Sequence, residues 1–402
     1  MTQAGRAVGG TGWLLAMALV ATGCGSQGNA PVAPTAAPTV ATTAPAPPVD
    51  SERGRFLVRE LVHGLEHPWS LAFLPDGGIL VSERPGRLRR IDLAAGTVSA
   101  PIAGLPRMFV RGQGGLLDIA LSPTFGEDHL VYFAWSEANW RGNKAGTTVS
   151  RARLDGDALG PVERVVRQEP KLSFGTHFGA RLAFDDAGLL FVGLGDNRVS
   201  ASAQWLDHLQ GKVLRLHPDG RVAEDNPFAG RDDARPEIWS YGHRNIQGMA
   251  WHPDTGALWT HEHGPRGGDE INLPVRGGNF GWPLATHGVE YSGAPVPEAL
   301  ATEPAGLVPP LHWWPESPAV SGMAFHGGGV VPAWRGNLFI GALAGRGLIR
   351  LELDGDRVVH EERLLVGRGE RIRDVREGPD GMLYLLTDEV PGKLLRLEPV
   401  GR

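Results

Sequence analysis

The stretch "FDDAGLLFVGLGD", residues 184–196, places a turn signal directly before a run of apolar residues. Asp/Gly turns supply the positive φ angles that a tight hairpin needs. The run after the turn has the alternation, with a period of two, that is typical of a β-strand. The stretch therefore predicts a hairpin turn and the strand that leaves it.

Six copies of this pattern, each with an Asp/Gly or Pro/Gly turn, occur along the chain. The other five are "LPDGGILVSE" (74–83), "SPTFGEDHLVYFAW" (122–135), "HPDTGALWTHEH" (252–263), "VPAWRGNLFIGAL" (331–343) and "GPDGMLYLLTDE" (378–389). Consecutive copies lie roughly 45–80 residues apart, which leaves room for about four strands each. The repeat predicts an all-β fold, a six-bladed β-propeller with four-stranded antiparallel blades.

A second pattern follows several copies and predicts the next strand of the same blade. Its instances are "GRLRRIDL" (86–93), "GKVLRLHP" (211–218), "GLIRLEL" (347–353) and "GKLLRLEP" (392–399). A β-sandwich with similar turns is the alternative, but sandwiches rarely repeat one hairpin six times. Because a propeller closes its ring by pairing its last strand with an N-terminal one, we expect "RFLVRELV" (55–62) to be the closing strand.

Composition restricts the class of partner. The 402 residues are 42% hydrophobic and 21% charged, with a formal net charge of −6. Basic residues are scattered and form no extended stripe of the kind that nucleic-acid binding requires. We therefore expect a globular protein that does not bind nucleic acid.

The N-terminus resembles an export signal. Residues 1–23 contain an early arginine and a short apolar run that ends in small residues, directly before Cys24, the only cysteine. This arrangement favours a signal peptide of the lipoprotein type, in which the Cys24 thiol is diacylated. An ordinary signal peptide with an incidental cysteine is the alternative.

The predicted domains follow from this N-terminus. Residues 24–50 are rich in Pro, Ala and Thr and predict a tether that follows the lipidated cysteine. Residues 51–402 are expected to form the propeller, which is the catalytic domain. The position after Cys24 lacks the aspartate associated with inner-membrane retention. We therefore expect an exported, periplasmic lipoprotein on the outer membrane, in contact with the membrane only through its lipid anchor.

His177 and Asp196 lie at the two ends of one predicted hairpin. A carboxylate beside a neutral imidazole fixes its tautomer and raises its basicity, which favours general-base catalysis. A structural histidine and a turn-capping aspartate are the alternatives. Arg244, Arg371 and Arg373 lie in glycine-bearing loops and, if they converge on the axis, form a pocket for an anion with several carboxylates or phosphates.

The stretch "HEHGPRGGDEIN", residues 261–272, has the composition of a metal site. Its two histidines lack the four-residue helical spacing of a zinc protease motif, and alternate residues of a strand face opposite ways. Glycines and a proline expose backbone carbonyls, and Asp269 and Glu270 add carboxylate oxygens. Hard oxygen ligands of this kind favour calcium.

Seven segments resemble one known family, in that family's order over roughly residues 55–399. They are "GQGGLLDIALSP", "HFGARLAFD", "EIWSYGHRNIQGMAWHP", "EHGPRGGDEIN", "GWPLATHGVEYSG", "SPAVSGMAF" and "RIRDVREGPDG". The family is the soluble aldose sugar dehydrogenases that use pyrroloquinoline quinone (PQQ), relatives of soluble glucose dehydrogenase. The resemblance implies a six-bladed propeller that oxidises the C1 hydroxyl of an aldose to the lactone and passes a hydride to the cofactor. An unidentified acceptor then takes the electrons.

The resemblance also implies roles for individual residues. His177 resembles the general base, with Asp196 tuning it, and Gln113 resembles a contact to quinone and sugar. Arg244 and Asn245 would hold the quinone oxygens as negative charge develops.

Other matched residues would surround the cofactor. Arg371 and Arg373 resemble the pair that faces its carboxylates. Tyr291 and Trp314 are expected to line or cover the pocket. A lysine that faces the cofactor in the family is expected near Ala344, where this chain has none. Replacement by Arg346 and a weaker affinity for the cofactor are the two alternatives.

Two calcium roles follow from the same resemblance. The carbonyls of Gly264 and Pro265 resemble ligands of a catalytic calcium that polarises the quinone. Glu270 and the carbonyl of Phe280 resemble a second, structural site. Many family members have tyrosine at position 280, but a carbonyl ligand does not depend on the side chain.

Two other functions compete with the dehydrogenase. One is a calcium-dependent lactonase with the same number of blades, and the other is a non-catalytic propeller that binds a glycan or protein. Neither requires a multiply anionic cofactor, so the three arginines argue against both.

Overall fold

The computed structural model describes residues 37–41 and 47–400. The predicted signal peptide, Cys24 and most of the predicted tether lie outside the described residues. Nearly all regular structure is β.

The strands, in chain order, are as follows. The first seven are β1 (Thr39–Val40), β2 (Val49–Ser51), β3 (Gly54–Leu65), β4 (Pro68–Phe73), β5 (Ile79–Glu83), β6 (Arg87–Asp92) and β7 (Thr97–Val98). The next nine are β8 (Leu116–Leu121), β9 (Leu130–Ala138), β10 (Ala145–Asp155), β11 (Ala158–Leu159), β12 (Glu163–Arg167), β13 (Gly179–Phe184), β14 (Leu190–Leu194), β15 (Lys212–Leu216) and β16 (Ile238–Tyr241). The last eleven are β17 (Ile246–Trp251), β18 (Leu258–Glu262), β19 (Asp269–Asn272), β20 (His312–Trp314), β21 (Val320–Phe325), β22 (Leu338–Ala342), β23 (Gly347–Asp354), β24 (Arg357–Leu364), β25 (Ile372–Glu377), β26 (Leu383–Thr387) and β27 (Gly392–Pro399).

Helices are short. The α-helix α1 spans Phe125–Asp128, and 3-10 turns span Ser200–Gln204, Pro332–Trp334 and Val366–Arg368. None of the helices in the described ranges is long and apolar enough to cross a membrane.

Six antiparallel sheets form the blades of a β-propeller. Four of them follow the chain as β4-β5-β6-β7, β13-β14-β15-β16, β17-β18-β19-β20 and β21-β22-β23-β24. Another has the order β8-β9-β10 and carries β11 and β12 on its outer strand. The strand after each of the six predicted turns is the second strand of a blade. The prediction of an all-β, six-bladed propeller with four antiparallel strands a blade is therefore confirmed.

The sixth blade closes the ring with strands from both ends of the chain. β25, β26 and β27 come from the C-terminal part, and β3 pairs with β27 over the whole of that strand, from Gly392 opposite Leu65 to Pro399 opposite Phe56. This confirms the closing strand predicted at 55–62. The structure also pairs β1 and β2 with β3, so two short pieces of the predicted tether extend this blade.

The core lies between neighbouring blades. Leu117, Val149, Leu182 and Val192 are buried in a single cluster that joins the second and third blades, and similar clusters join the others. Alternation along each strand supplies these side chains to both faces of the blade, because each face packs against a neighbour.

A buried cluster of ion pairs fills the middle of the axis. Arg181 Nη1 lies 2.8 Å from Asp374 Oδ1, and Arg376 Nη2 lies 2.9 Å from Asp118 Oδ1. These side chains come from the first strands of three blades. Since buried charges persist only when paired, the cluster fixes those strands relative to one another. It separates two cavities at opposite ends of the axis, one where the first strands of the blades begin and one where they end.

Candidate active site

One of the two cavities lies where the first strands begin. Its wall consists of Trp69, Arg84, Gln113, Leu117, Phe178, Gly179, Asn245, Gln247, His263, Leu343, Arg371, Arg373 and Asp388. These residues come from all six blades. Of the residues that the sequence predicts for the cofactor, Gln113, Asn245, Arg371 and Arg373 therefore share one wall, whereas His177, Arg244 and Tyr291 are not part of it.

His177 and Asp196 meet beside this cavity, because they flank the hairpin of β13 and β14. Nδ1 of His177 lies 2.7 Å from Oδ1 of Asp196. The backbone N–H of His177 donates to Oε1 of Gln113 at 2.7 Å, and its carbonyl accepts a bond of 2.9 Å from the Asn197 amide. His177 has a φ of 53°, a conformation that costs free energy and persists only when the surroundings enforce it.

The electrostatics of the pair favour a neutral imidazole. Burial lowers the pKa of His177, and Arg244 and Arg198 lower it further, against the opposing effect of Asp196. Burial opposes ionisation of Asp196, but the charge and hydrogen bond of His177, followed by Arg244, outweigh it and lower the pKa of Asp196. A carboxylate only accepts hydrogen bonds, so Nδ1 carries the proton and Nε2 carries a lone pair. The pair has the form of a general base and its orienting carboxylate.

Arg244 and Asn245 lie between β16 and β17. Nη1 of Arg244 donates to the His263 carbonyl at 3.0 Å, and its backbone N–H donates to the Glu262 carboxylate. Its buried Nε has no hydrogen-bond partner among the described residues. Oδ1 of Asn245 accepts a bond of 3.1 Å from the backbone N–H of Gly179.

The cavity is rich in cations. Arg84, Arg371 and Arg373 line it, against a single acidic residue, Asp388. Burial, with repulsion from Arg181, lowers the pKa of Arg373 to about 9, so its guanidinium is charged at neutral pH and its charge is only partly balanced. Its buried Nε has no partner among the described residues. An anion in the cavity would supply the negative charge that balances Arg373 and an acceptor for its Nε–H.

A smaller cavity lies at the same end of the axis and adjoins the first through His263. It is lined by Arg244, Glu262, His263, Gly264, Gly268, Glu270, Phe280, Trp282, Ala285 and Thr286. Burial and the neighbouring Glu262 raise the pKa of Glu270 well above its usual range. No described residue donates a hydrogen bond to the carbonyls of Gly264, Pro265 or Phe280. Carbonyl oxygens that accept no hydrogen bond, next to a carboxyl whose ionised form is disfavoured, are the kind of groups that a hard metal ion binds.

The candidate metal site is not a cluster of side chains. Within the described ranges, no group of three or more His, Cys, Asp or Glu side chains is placed to hold a metal on its own. Asp269 is engaged elsewhere, since it accepts bonds from Gly264 N at 3.0 Å and from the Ser317 hydroxyl at 2.7 Å. Pro265 follows Gly264 in the chain but is not part of the cavity wall.

Residues 65–396 match the model of the glucose/sorbosone dehydrogenase family. The chain belongs to this family. The resemblance found in the sequence is thereby confirmed, and with it the class of enzyme, a sugar dehydrogenase.

Relatives in the family align with most of the chain. Aldose sugar dehydrogenase YliI of Escherichia coli is 51% identical over 345 residues, which is 85% of this chain and 92% of that protein. The structure of the soluble aldose sugar dehydrogenase from Escherichia coli, in the apo-form, has a TM-score of 0.83 at 50% identity and covers 85% of this chain and 99% of that one. The PQQ-bound form of aldose sugar dehydrogenase from Streptomyces coelicolor has a TM-score of 0.69 at 31% identity, over 85% of this chain and 97% of that one.

Three residues expected at the family's cofactor pocket line neither cavity. Trp314 is buried between blades and its indole donates to Glu361 at 2.6 Å, so it does not line the pocket. Arg346 donates to the Gly369 carbonyl at 2.6 Å and does not reach in for the missing lysine. Tyr291 lies on a long loop and is 65% exposed, outside both cavity walls. Its contact with the cofactor stays a prediction.

Arg84 supplies a cation that the sequence analysis missed. It follows β5 and lines the cavity. A Cβ on Gly115 would lie 1.7 Å from the Arg84 carbonyl, so only glycine at position 115 permits this close approach. In each blade the second strand ends at this end of the axis, so the repeat already indicated that Arg84 lies near the cavity.

Trp69 and Gln247 were also missed, and both hold Arg373. The Arg373 guanidinium lies 4.7 Å from the Trp69 ring centroid, and its Nη2 donates to Oε1 of Gln247 at 2.5 Å. Of the two histidines that had no expected role, His261 is fully buried and His263 is partly buried at the cavity wall, and both are neutral. Burial lowers the pKa of His263 to about 4 and that of His261 well below its usual range.

Proposed function

We propose that the protein is a quinoprotein oxidoreductase that oxidises the C1 hydroxyl of aldose sugars, such as glucose, to the lactone, with PQQ and Ca²⁺ as cofactors. The observation that carries this proposal is the buried His177–Asp196 pair beside a cavity lined by three arginines. The PQQ-bound relative from Streptomyces coelicolor supports the choice of cofactor.

The cavity residues fit a cofactor with several carboxylates. Arg84, Arg371 and Arg373 offer positive charge, and the buried guanidinium Nε of Arg373 has no partner among the described residues. The same holds for the Nε of Arg244, which lines the adjoining smaller cavity. A buried donor without an acceptor costs about 1–3 kcal/mol, so a bound carboxylate or quinone oxygen there would relieve that cost. Arg371 and Arg373 would hold the carboxylates, and Arg244 and Asn245 the quinone oxygens.

The smaller cavity, together with Pro265 next to its wall, offers the oxygen atoms that calcium prefers. Carbonyls of Gly264 and Pro265 would serve the ion next to the cofactor, and Glu270 with the Phe280 carbonyl would serve a second ion. The raised pKa of Glu270 supports this assignment, because a divalent cation would favour the ionised carboxylate.

When bound, PQQ supplies the acceptor for the hydride from C1 and calcium supplies a Lewis acid that polarises the quinone. The chain's own residues handle the proton. Nε2 of His177 removes it from the C1 hydroxyl, and Asp196 stabilises the imidazolium that forms. Gln113 holds the His177 backbone and lies at the cavity wall, where it would contact the sugar.

Reconstitution tests this function. The purified apoprotein, supplied with calcium and PQQ, should reduce an artificial dye with D-glucose or another aldose, and should not do so when either cofactor is omitted. Hydrolysis of a lactone without dye reduction would instead show the lactonase, and neither reaction would favour a binding propeller.

We also propose that the protein is exported and anchored by a lipid on Cys24 at the periplasmic face of the outer membrane, and that a separate acceptor takes its electrons. The sequence of residues 1–24 supports this location. Replacement Cys24→Ser should release the protein from membranes into the soluble fraction. Unchanged retention in the membrane would contradict lipidation.

A further inference from the structure

Trp282 contacts both Asp196, the carboxylate that orients the proposed base, and Arg244, the arginine proposed to hold a quinone oxygen. It lies in the long connection between β19 and β20 and is 6% exposed. Its indole Nε1–H donates to Oδ2 of Asp196 at 2.9 Å. The other oxygen of that carboxylate, Oδ1, contacts His177 Nδ1 and accepts a bond of 2.8 Å from the Arg198 backbone N–H. Both oxygens of Asp196 are therefore fixed from different directions.

The indole ring also supports Arg244. The guanidinium carbon of Arg244 lies 5.1 Å from the ring centroid, within the range of a cation–π contact. Nη1 of the same arginine is held by the His263 carbonyl. The ring and this carbonyl together direct the guanidinium, whose Nε is without a partner among the described residues.

Trp282 is itself anchored independently of both partners. Its backbone N–H donates to the Gly242 carbonyl at 2.9 Å, and its carbonyl accepts a bond of 2.7 Å from Nε2 of Gln204. The ring packs against Ala203 and Val296. These contacts tie it to the neighbouring blade, so the indole is a rigid support rather than a side chain that follows Asp196.

We propose that Trp282 is a positioning residue for this reaction, which orients Asp196 through its N–H and Arg244 through its ring. The catalytic role of Trp282 rests on the proposed function. Its contacts with Asp196 and Arg244 are those of the protein without cofactor. Trp282 contacts the base through Asp196 only, so its effect on proton transfer is indirect.

Loss of the Trp282 N–H should raise the pKa of His177. A donor to Oδ2 withdraws negative charge from the carboxylate and so weakens its attraction for a protonated His177. Without that N–H, Asp196 would stabilise the imidazolium more strongly and the pKa of His177 would rise. The other charged groups that face this histidine are Arg244 and Arg198, which both lower its pKa, and neither is altered when only the N–H is lost.

The test compares Trp282→Phe with the control Trp334→Phe. Trp334 is equally buried, and its indole N–H has no partner among the described residues, so the control measures the general cost of the exchange. NMR titration of the apoprotein with ¹³C-labelled histidine, assigned with His177→Ala, should show the pKa of His177 raised by about 0.5 in Trp282→Phe and unchanged in the control.

Activity of the reconstituted protein gives a second measurement. Trp282→Phe should lower kcat about tenfold and shift the acid limb of its pH profile upward, with PQQ affinity retained because an aromatic ring still faces Arg244. Trp282→Leu should also weaken PQQ affinity. If Trp282→Phe does not fold, the isosteric benzothienylalanine at position 282 removes the N–H alone.

Unchanged titration of His177 together with a kcat equal to that of the control would overturn the proposal. Failure of the proposed function would look different, since the wild-type protein would then oxidise no aldose while the NMR shift in the apoprotein would still be present.

Discussion

His177 lies next to the cavity-lining residues Gln113 and Phe178, on a backbone with positive φ that Gln113, Asn197 and Asp196 hold. Replacement His177→Ala removes the proposed base without removing any arginine of the cavity wall. We expect PQQ affinity to stay close to that of the wild type and kcat to fall about 10²–10⁴-fold, the usual contribution of a positioned base. Steady-state dye reduction and a fluorescence titration with PQQ measure the two quantities.

A matched control is His326→Ala. His326 is fully buried, as His177 nearly is, but it lies at the opposite end of the axis, next to Glu377. The control should lose stability and keep its turnover per folded molecule. Normal turnover in His177→Ala would remove His177 from the mechanism.

The pH dependence of kcat/KM follows from the same residue. A general base acts when it is neutral, and burial lowers the pKa of His177 below its ordinary value of 6.5. Activity should therefore persist into mildly acidic solution and fall only as the pH drops through that lowered pKa. An acid limb above pH 6.5 would show that Asp196 outweighs burial or that another group titrates.

At this scale the sequence could predict what a hairpin brings together. His177 and Asp196 are 19 residues apart and flank one turn, so their contact follows from strand pairing alone. The contacts of Trp282 with Asp196, and of Gln247 with Arg373, join residues 86 and 126 positions apart. Only the closed ring makes them neighbours, and no local pattern in the sequence encodes such contacts.

At the scale of elements, the segment from the end of β18 through β19 places Glu270 beside Glu262, which raises the pKa of Glu270. A carboxyl whose pKa is raised by folding costs stability above its ordinary pKa, because its ionised form is disfavoured in the folded state. Glu270→Gln should therefore leave the calcium-free protein at least as stable as the wild type. Calcium should raise the Tm of the wild type and should raise that of the variant much less.

Thermal unfolding with EDTA and with millimolar calcium measures both effects. Glu127→Gln, at an exposed position in α1, is the matched control and should keep the full response to calcium. An equal response in Glu270→Gln would exclude Glu270 as a calcium ligand.

The closing strand is the other element with a clear prediction. Leu395 in β27 is fully buried and pairs opposite Glu60 of β3. Leu395→Ala should lower the free energy of unfolding by about 2–5 kcal/mol. Val359→Ala, at a half-exposed position of β24, should change it by less than about 0.5 kcal/mol. Urea unfolding measures both, and a similar small loss in both would show that the closure contributes little.

Strands differed in how well the sequence predicted them. Second and third strands, such as β14 and β15, follow glycine turns and alternate clearly, so the repeat located them. Outer strands such as β7 and β20 have only two or three residues, too few for a period to show. β1 and β2 lie in a segment with a Pro/Ala/Thr-rich composition and become strands only because β3 offers an open edge.

At the scale of the whole molecule, the ring brings six loops of unrelated sequence to one end of an axis. Each blade contributes one or more side chains to the cavity, while the ion-pair cluster of Asp118, Arg181, Asp374 and Arg376 closes its floor. The chain as a whole carries a net charge of −6, yet its cavity is cationic. This local reversal of charge is what an anionic cofactor requires.

The most direct test is a single turnover without oxygen or dye. Protein reconstituted with calcium and PQQ is mixed with D-glucose, or with glucose deuterated at C1, and the cofactor absorbance and the lactone are followed together. We predict one lactone for each cofactor reduced and a rate several-fold slower with the deuterated sugar, because the C1–H bond breaks in this step. Lactone formation without cofactor reduction, or no reduction by any aldose, would contradict the proposed function.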